Sequence, residues 1–428
     1  MIISPVTYDY YEISFILIVA AFSIPISRKA SMVYIPILIV MGLIFGPLLG
    51  FIKHSFAIYM LSSFATIGVG MLGLVIILYY ESHNFSPRIL RKYFYKIAAL
   101  DTVGMIVTAV GAGIFFSLLT GAPMIVGFIF GAIISPTDPA SLIPTFKKLN
   151  IRDDISGTLI GESLFNDPLS IILLSIGIGI LAPNVSYSSF FTLLTSHVGL
   201  LLGSSSFLLL EIVIPAAVGI TFGFFIIYLN KYFNFESLLI ALTLGIVLFE
   251  FTSLEAAGIT PFPAIIATGA IVGNFSDKSI FWNRETNFNE NLSFMAQSII
   301  FILLGSILTR TQIFNYIIFG FIISLIVIFV VRPVAVFISI GLANMGKNTI
   351  KFDTRTKAFM SLVGPRGVVP VVLSTVPFVL GQANHIPLLI EYGTIIYASV
   401  SFVVLISIIL QTIYVPYAGR LLLGERKH

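Results

Sequence analysis

The sequence predicts an all-α membrane protein of thirteen transmembrane helices, arranged as two inverted six-helix repeats with two broken helices that cross. Three observations carry this prediction. Of 428 residues, 57% are hydrophobic and only 10% charged, with a mean hydropathy of +1.05; soluble domains carry about 25% charged residues. The apolar residues form long continuous runs rather than the alternating pattern of a membrane β-barrel. The basic residues between those runs fall almost entirely on one side.

Crossing a hydrocarbon core of about 30 Å takes roughly 20 helical residues. Thirteen apolar segments bounded by charged or Gly/Pro/Asn-rich breaks meet that need, near residues 11–27, 33–51, 59–81, 95–119, 123–147, 154–181 and 205–230, then 236–253, 261–275, 289–309, 312–342, 353–381 and 391–420. They are numbered spans 1 to 13. With the N-terminus outside, 19 of the 23 Lys and Arg fall in cytoplasmic loops or the C-terminal segment, and only Lys53 and Arg310 face outward. An error in the count would reverse this bias from that point onward. The expected topology is therefore a multi-pass protein of the cell membrane, N-terminus outside and C-terminus cytoplasmic. The N-terminal MIISPVTYDYYE has no basic run, so span 1 is expected to be permanent rather than a cleaved signal.

Spans 5 and 12 each carry prolines in mid-membrane: Ser135-Pro136-Thr137-Asp138-Pro139, and Gly364-Pro365-Arg366-Gly367 followed by Pro370. Proline has no N–H for the carbonyl four residues back. Unwound backbone is tolerated at membrane depth only where it is buried or lines a cavity. The two breaks lie seven spans apart, and seven is odd, so their helices run in opposite directions. Spans 1–6 (about 11–181) and spans 8–13 (about 236–420) thus read as inverted halves joined by span 7 (205–230). Paired interrupted helices at matched positions point to a transporter's binding site.

A charge at bilayer depth costs about 2.5–3.5 kcal/mol on insertion scales. This chain places Asp138, Glu162, Asp167, Arg332 and Arg366 in mid-span, with Glu81 and Asp101 nearer span ends. Span 6 reads Gly161-Glu162-Ser163-Leu164-Phe165-Asn166-Asp167-Pro168. Residues four apart share a helix face, so Ser163 lines up with Asp167 and Glu162 with Asn166. Pro168 frees the carbonyl of Leu164. A carboxylate, a hydroxyl and a freed carbonyl make a hard-oxygen site suited to a small hard cation, and the same carboxylate can take a proton. Asp138 before Pro139 reads equally as the cap of a half-helix and as an ion ligand. Arg332 is expected to neutralise Glu162. Arg366 is expected to offset the carbonyl end of a half-helix at the break in span 12.

Taken together, Thr137-Asp138-Pro139, Glu162 to Pro168, Arg332-Pro333 and Gly364-Pro365-Arg366-Gly367 resemble the cation/proton antiporter-1 family of NhaP-type and NHE-type sodium/proton exchangers, across essentially the whole chain. The resemblance implies a homodimer of thirteen-helix subunits in the lipid bilayer that exchange Na⁺, with Li⁺ as a further cation, for H⁺ by an elevator-like movement. It implies an ion-binding core from spans near 95–181 and 312–420, and a dimerisation part from spans near 11–81 and 205–309. It makes Asp167 the ion- and proton-carrying carboxylate. Asp138, Ser163 and Thr137 become neighbouring ligands of Na⁺, with Asn166 in support and Glu162 with Arg332 as a structural pair. Glu81, in Tyr80-Glu81-Ser82-His83, resembles a family acidic stretch in which small residues stand where Ser82 and His83 stand here. Asp101 resembles a carboxylate of the cytoplasmic funnel. The chain ends soon after span 13, so no long regulatory tail is expected.

Rival readings are a K⁺/H⁺ exchanger of the same fold, an intramembrane aspartyl protease using Asp138 and Asp167, and a passive cation channel. The protease reading lacks a Gly-x-Gly-Asp element, and His-Glu-x-x-His is absent. Cysteine is absent too, which removes thiolate sites and Cys nucleophiles. The five histidines, His54, His83, His197, His385 and His428, fall in loops or at span ends and read as solvated. No enzyme activity, cofactor or nucleic-acid partner is expected.

Overall fold

The computed structural model describes residues 5–30, 33–62, 69–138, 142–183, 189–277, 279–346 and 351–424. Pro139, Lys278, Lys347, Arg426, Lys427 and His428, used above in the motif and charge arguments, lie outside the described residues. The described parts of the thirteen apolar segments lie mainly on helix, with non-helical breaks in spans 5 and 12, and no strand occurs among the described residues. This follows from the solvent. In lipid every backbone N–H and C=O must be satisfied within the segment, which a helix does and an open sheet does not.

Among the described residues seven helices are long and apolar enough to cross a membrane by length and composition. Among them are span 4 (Pro87–Thr120), span 6 (Asp153–Leu181), span 11 (Arg310–Ala343) and span 13 (Pro387–Leu423). Shorter apolar helices are Tyr34–Leu48, Met124–Ile134, Phe262–Phe275 and Val368–Asn384. Span 10 starts earlier than the apolar run near 289. Its helix, Ile280–Ser306, opens with several polar turns that include Arg284, Glu285, Asn289 and Glu290.

Among the described residues three helices contain a widened, π-type turn: Ile44–Leu48 at the end of span 2, and Leu100–Gly104 in span 4 and Val327–Val331 in span 11, both within longer helices. Such turns often mark functional positions. Those in spans 4 and 11 precede Met105 and Arg332. A short helix, Ser189–Val198, was not expected from the sequence. Its ten residues cannot cross a bilayer. It packs against span 7 (Leu200–Phe233), with the Phe191 and Phe207 rings 5.4 Å apart.

The first half of span 5, Met124–Ile134, is clamped to span 4 by small residues. A Cβ on Gly131 would stand 1.8 Å from the Ala109 carbonyl oxygen, so only glycine permits this approach. Close small-residue contact is how membrane helices gain packing where lipid offers no hydrophobic contrast. The clamp fixes the end of this half-helix, and therefore the position of the break that follows.

Candidate ion-binding site

The two breaks meet. Span 5 leaves the helix at residues 135–138, between Met124–Ile134 and Ile143–Lys148. Span 12 is extended at residues 363–367, between Thr354–Leu362 and Val368–Ser374. The Asp138 N–H donates to the Pro365 carbonyl at 2.7 Å. Gly367 packs so tightly on Asp138 that a Cβ there would lie 2.5 Å from the Asp138 Cβ. Backbone freed by one break is thus satisfied by the other.

Arg366 departs from the sequence expectation. Its Nη1 donates to the carbonyls of Ser135 at 2.8 Å and Pro136 at 3.1 Å, so it offsets the carbonyl end of the half-helix in span 5, not that in span 12. The crossing of the breaks explains the exchange, because a long side chain leaving one break reaches the neighbouring helix end. The carbonyl end in span 12 is served instead by Arg332, whose Nε and Nη2 lie 3.3 and 3.1 Å from the Val363 oxygen. Arg332 also forms a two-pronged pair with Glu162: Nη1 to Oε1 at 2.5 Å and Nη2 to Oε2 at 2.9 Å, with both side chains buried.

Span 13 supplies two groups that sequence reasoning missed. Gln411 Oε1 accepts from the Gly364 N–H at 2.8 Å, and Ser407 Oγ accepts from the Arg366 N–H at 3.1 Å. Their signal was polarity inside an otherwise apolar span. Ser170 of span 6 was missed in the same way; it donates to the Ala132 carbonyl at 2.8 Å.

On span 6, Asn166 Nδ2 donates to Thr137 Oγ1 at 3.1 Å and to the Thr137 carbonyl at 3.3 Å, which ties the break to the helix beside it. Asn166 Oδ1 is buried with no donor among the described residues. Asp167 is half-buried, with no hydrogen bond or ion pair to another described residue. Its charge interacts with those of Glu81 and Asp138. The capping role read for Asp138 falls on residues 139–141, which lie outside the described residues; the described helix resumes at Ile143.

A cavity of about 600 Å³ reaches this region. One wall comes from spans 3 and 10, with Tyr80, Glu81, Glu290, Ser293 and Gln297; Ser163 and Leu164 of span 6 line the other. Its far end is at Asn84, Ser86 and Lys147. Tyr34 lines it too, and its hydroxyl donates to Gln297 Oε1 at 2.8 Å. Leu164 is the residue whose carbonyl Pro168 leaves without a backbone donor. The cavity is therefore lined by Ser163, Leu164 and Glu81 together.

Two expectations need correction. Asp101 is not at a funnel mouth. Its helix starts at Pro87, so Asp101 sits in mid-helix, 5% exposed, outside the cavity lining, with both oxygens lacking a hydrogen-bond partner. His83 is not simply solvated. Its Nε2 is 3.0 Å from Thr286 Oγ1 and its Nδ1 is buried. Among the described residues no three His, Asp or Glu side chains converge as a metal cluster. The candidate set is instead one of mixed hydroxyl, carbonyl and carboxylate oxygens.

Known proteins resemble this chain in sequence and fold. Residues 16–419 match the family described as "Sodium/hydrogen exchanger, transmembrane". Na(+)/H(+) antiporter 1 of Methanocaldococcus jannaschii is 29% identical, over 94% of this chain and 93% of its own. A solved structure of the sodium proton antiporter MjNhaP1 from that organism superposes with a TM-score of 0.82 at 26% identity, covering 96% of this chain and 98% of its own. The K(+)/H(+) antiporter NhaP of Alkalimonas amylolytica is 27% identical over 80% of this chain and 55% of its own. With nearly its whole length matched and both helix breaks present, the chain belongs to the sodium/hydrogen exchanger family of membrane transporters.

Proposed function

We propose that this protein is a secondary active antiporter that exchanges Na⁺, and also Li⁺, for H⁺ at Asp167. The observation that carries the reading is the Asp167 carboxyl, without a hydrogen-bond partner among the described residues, one turn from the cavity-lining Ser163. A carboxyl in that state binds either a proton or a cation, and one site that holds either but not both is the minimum machinery for exchange. Ser163, Asp138 and Thr137 complete the cation's oxygen shell, with Glu81 as a further ligand from the opposite wall. Asn166 holds Thr137 in place. The core from spans near 95–181 and 312–420 moves against a dimerisation part from spans near 11–81 and 205–309, within a homodimer in the cell membrane. The N-terminus lies outside, so the cavity opens to the cytoplasm. No cofactor enters this cycle; Na⁺ and H⁺ are its substrates.

The test is exchange in proteoliposomes, with Na⁺, Li⁺ or K⁺ imposed against an internal pH dye. Proton movement driven by Na⁺ and Li⁺ supports the reading; movement driven by K⁺ alone favours K⁺/H⁺ exchange, the activity named for the Alkalimonas relative. A shared site also sets the pH dependence. Protons displace Na⁺ as pH falls, so the apparent KM for Na⁺ should rise, by up to about tenfold per pH unit, with little change in maximal rate. A KM that stays flat over two pH units would mean separate sites.

Exchange should be electroneutral. Asn166 cannot titrate, and Glu162 is taken up by its two-pronged pair with Arg332, so Asp167 alone swaps its proton for the ion. The moving part then carries the same net charge in both loaded states. A two-for-one exchanger would gain about 2.3 kcal/mol per 100 mV for its extra charge. With the potential clamped by K⁺ and valinomycin, the Na⁺ gradient at equilibrium should not change with voltage; a systematic shift would refute one-for-one stoichiometry.

A further inference from the structure

Behind the cavity wall, spans 3, 7, 8, 9 and 10 enclose a second set of polar groups that the exchange mechanism does not use. Glu285 of span 10 and Glu250 of span 8 are fully buried, and neither pairs with a Lys, Arg or His among the described residues. Glu285 Oε1 accepts from the Tyr79 hydroxyl at 3.0 Å and from Asn289 Nδ2 at 2.7 Å. Its Oε2 has no donor, and neither has Asn289 Oδ1, one turn along the same helix. The Thr243 hydroxyl lies beside this carboxyl and 3.0 Å from the Ile240 carbonyl, with one hydrogen to serve the two.

Two buried acceptors without a hydrogen form a defect that proteins rarely carry. One proton on Glu285 Oε2 removes it. The acid then has a hydrogen to give Asn289 Oδ1 while Asn289 Nδ2 donates to Oε1, the mutual pairing of a carboxylic acid with a primary amide. Glu250 has a parallel shortage. Thr268 Oγ1 lies 3.0 and 2.8 Å from the two Glu250 oxygens and 3.0 Å from the Gly219 carbonyl. A hydroxyl has one hydrogen for those three acceptors. With a proton on Glu250, the acid donates to Thr268 and Thr268 donates to Gly219.

We infer that Glu285 and Glu250 are proton-binding sites outside the ion cavity, each filled at neutral pH and each a neutral acid bonded to its neighbours. The titratable groups facing them are Tyr79, whose hydroxyl bonds Glu285, and His83, whose ring centre is 6.0 Å from that of Tyr79. Span 9 faces them with Thr268 and span 7 with the Gly219 carbonyl, neither of which titrates. On span 10, Arg284 lies over the Phe281 ring and Glu290 bonds Tyr80 at the cavity. No cation stands against either acid among the described residues. Spans 3 and 10 also line the cavity, with Glu81 and Glu290 turned away from the Tyr79–Glu285 contact. Proton loss at alkaline pH therefore places bare charge between the helices that form its wall.

Infrared difference spectra of the purified full-length protein test this directly. Wild type minus Glu285→Gln, and wild type minus Glu250→Gln, should each show at neutral pH the carbonyl stretch of a protonated carboxyl, shifted in D₂O and lost at strongly alkaline pH. Carboxylate bands in its place would overturn the inference and point to a bound cation. Glutamine has the shape of the neutral acid, so each variant should melt with wild type at neutral pH and above it at alkaline pH. A variant that melts far below wild type at neutral pH would also overturn it. Should Glu285→Gln fail to fold, Asn289→Leu removes the amide partner and must shift the acid band; an unmoved band excludes the pairing. Neutral-pH exchange should persist in both Gln variants, so this inference and the exchange role of Asp167 fail by different measurements.

Discussion

Asp167→Asn is expected to reduce exchange to the leak of protein-free vesicles while the protein still folds and dimerises. The substitution keeps the shape of the side chain and removes both its charge and its titration. Asp167 has no hydrogen bond or ion pair among the described residues, so nothing structural is lost with the charge. Removing a negative charge from among Asp138, Glu81 and Asp167 relieves repulsion, so the variant should melt at or above the wild-type temperature. The combination of a silent transporter and an unharmed fold separates this role from that of a structural carboxylate. Asn166→Asp makes the complementary change. It adds a titratable group beside the site and removes the amide that holds Thr137. Near-normal proteoliposome exchange by Asp167→Asn would end the mechanism.

The legibility of this molecule in its sequence followed the strength of the physical constraint. The thirteen apolar segments could be read because hydrocarbon permits so few alternatives, and their described parts lie mainly on helix. The breaks near Pro136 and Pro365 could be read because proline removes a donor that nothing in lipid replaces. The meeting of Glu162 with Arg332 could be anticipated because few basic residues lie at that depth. What could not be read was geometry between distant segments. Arg366 and Arg332 each serve a half-helix carbonyl end, but only the crossing of the breaks decides which arginine serves which end. Ser407 and Gln411 look like tolerated polar residues until the breaks are seen to lie against span 13. Glu285 and Asn289 sit in the polar opening turns of span 10, where exposure to water is the natural expectation; packing by spans 3 and 8 buries them instead. Asp101 was placed at a span end because apolar pattern alone does not reveal that the helix continues back through basic residues to Pro87.

Breaking the Glu162–Arg332 pair is expected to destabilise the protein by about 3–5 kcal/mol, the usual cost of leaving one buried charge alone. The two halves of the pair should not be equivalent. Glu162→Leu strands a guanidinium that cannot lose its proton. Among the described residues it keeps only the Val363 carbonyl as a partner, and it interacts unfavourably with Arg366. The lowered melting temperature of Glu162→Leu should therefore not depend on pH. Arg332→Met strands a carboxylate instead, and a carboxylate can be neutralised by a proton. Its loss should shrink as pH falls, although the Val363 carbonyl stays unsatisfied. Glu162→Leu with Arg332→Met removes both charges and should recover much of the loss, because apolar groups of similar volume often replace a buried pair at little cost. Val363 lies at the carbonyl end of the first half of span 12, directly before the break that meets Asp138. Regained stability need not restore exchange, since the break would still lack the arginine that holds its carbonyl. Melting curves in detergent across pH, with exchange measured on the same preparations, decide the matter. If either single variant melts like wild type, or if the double variant melts below both, the pair does not hold these helices together.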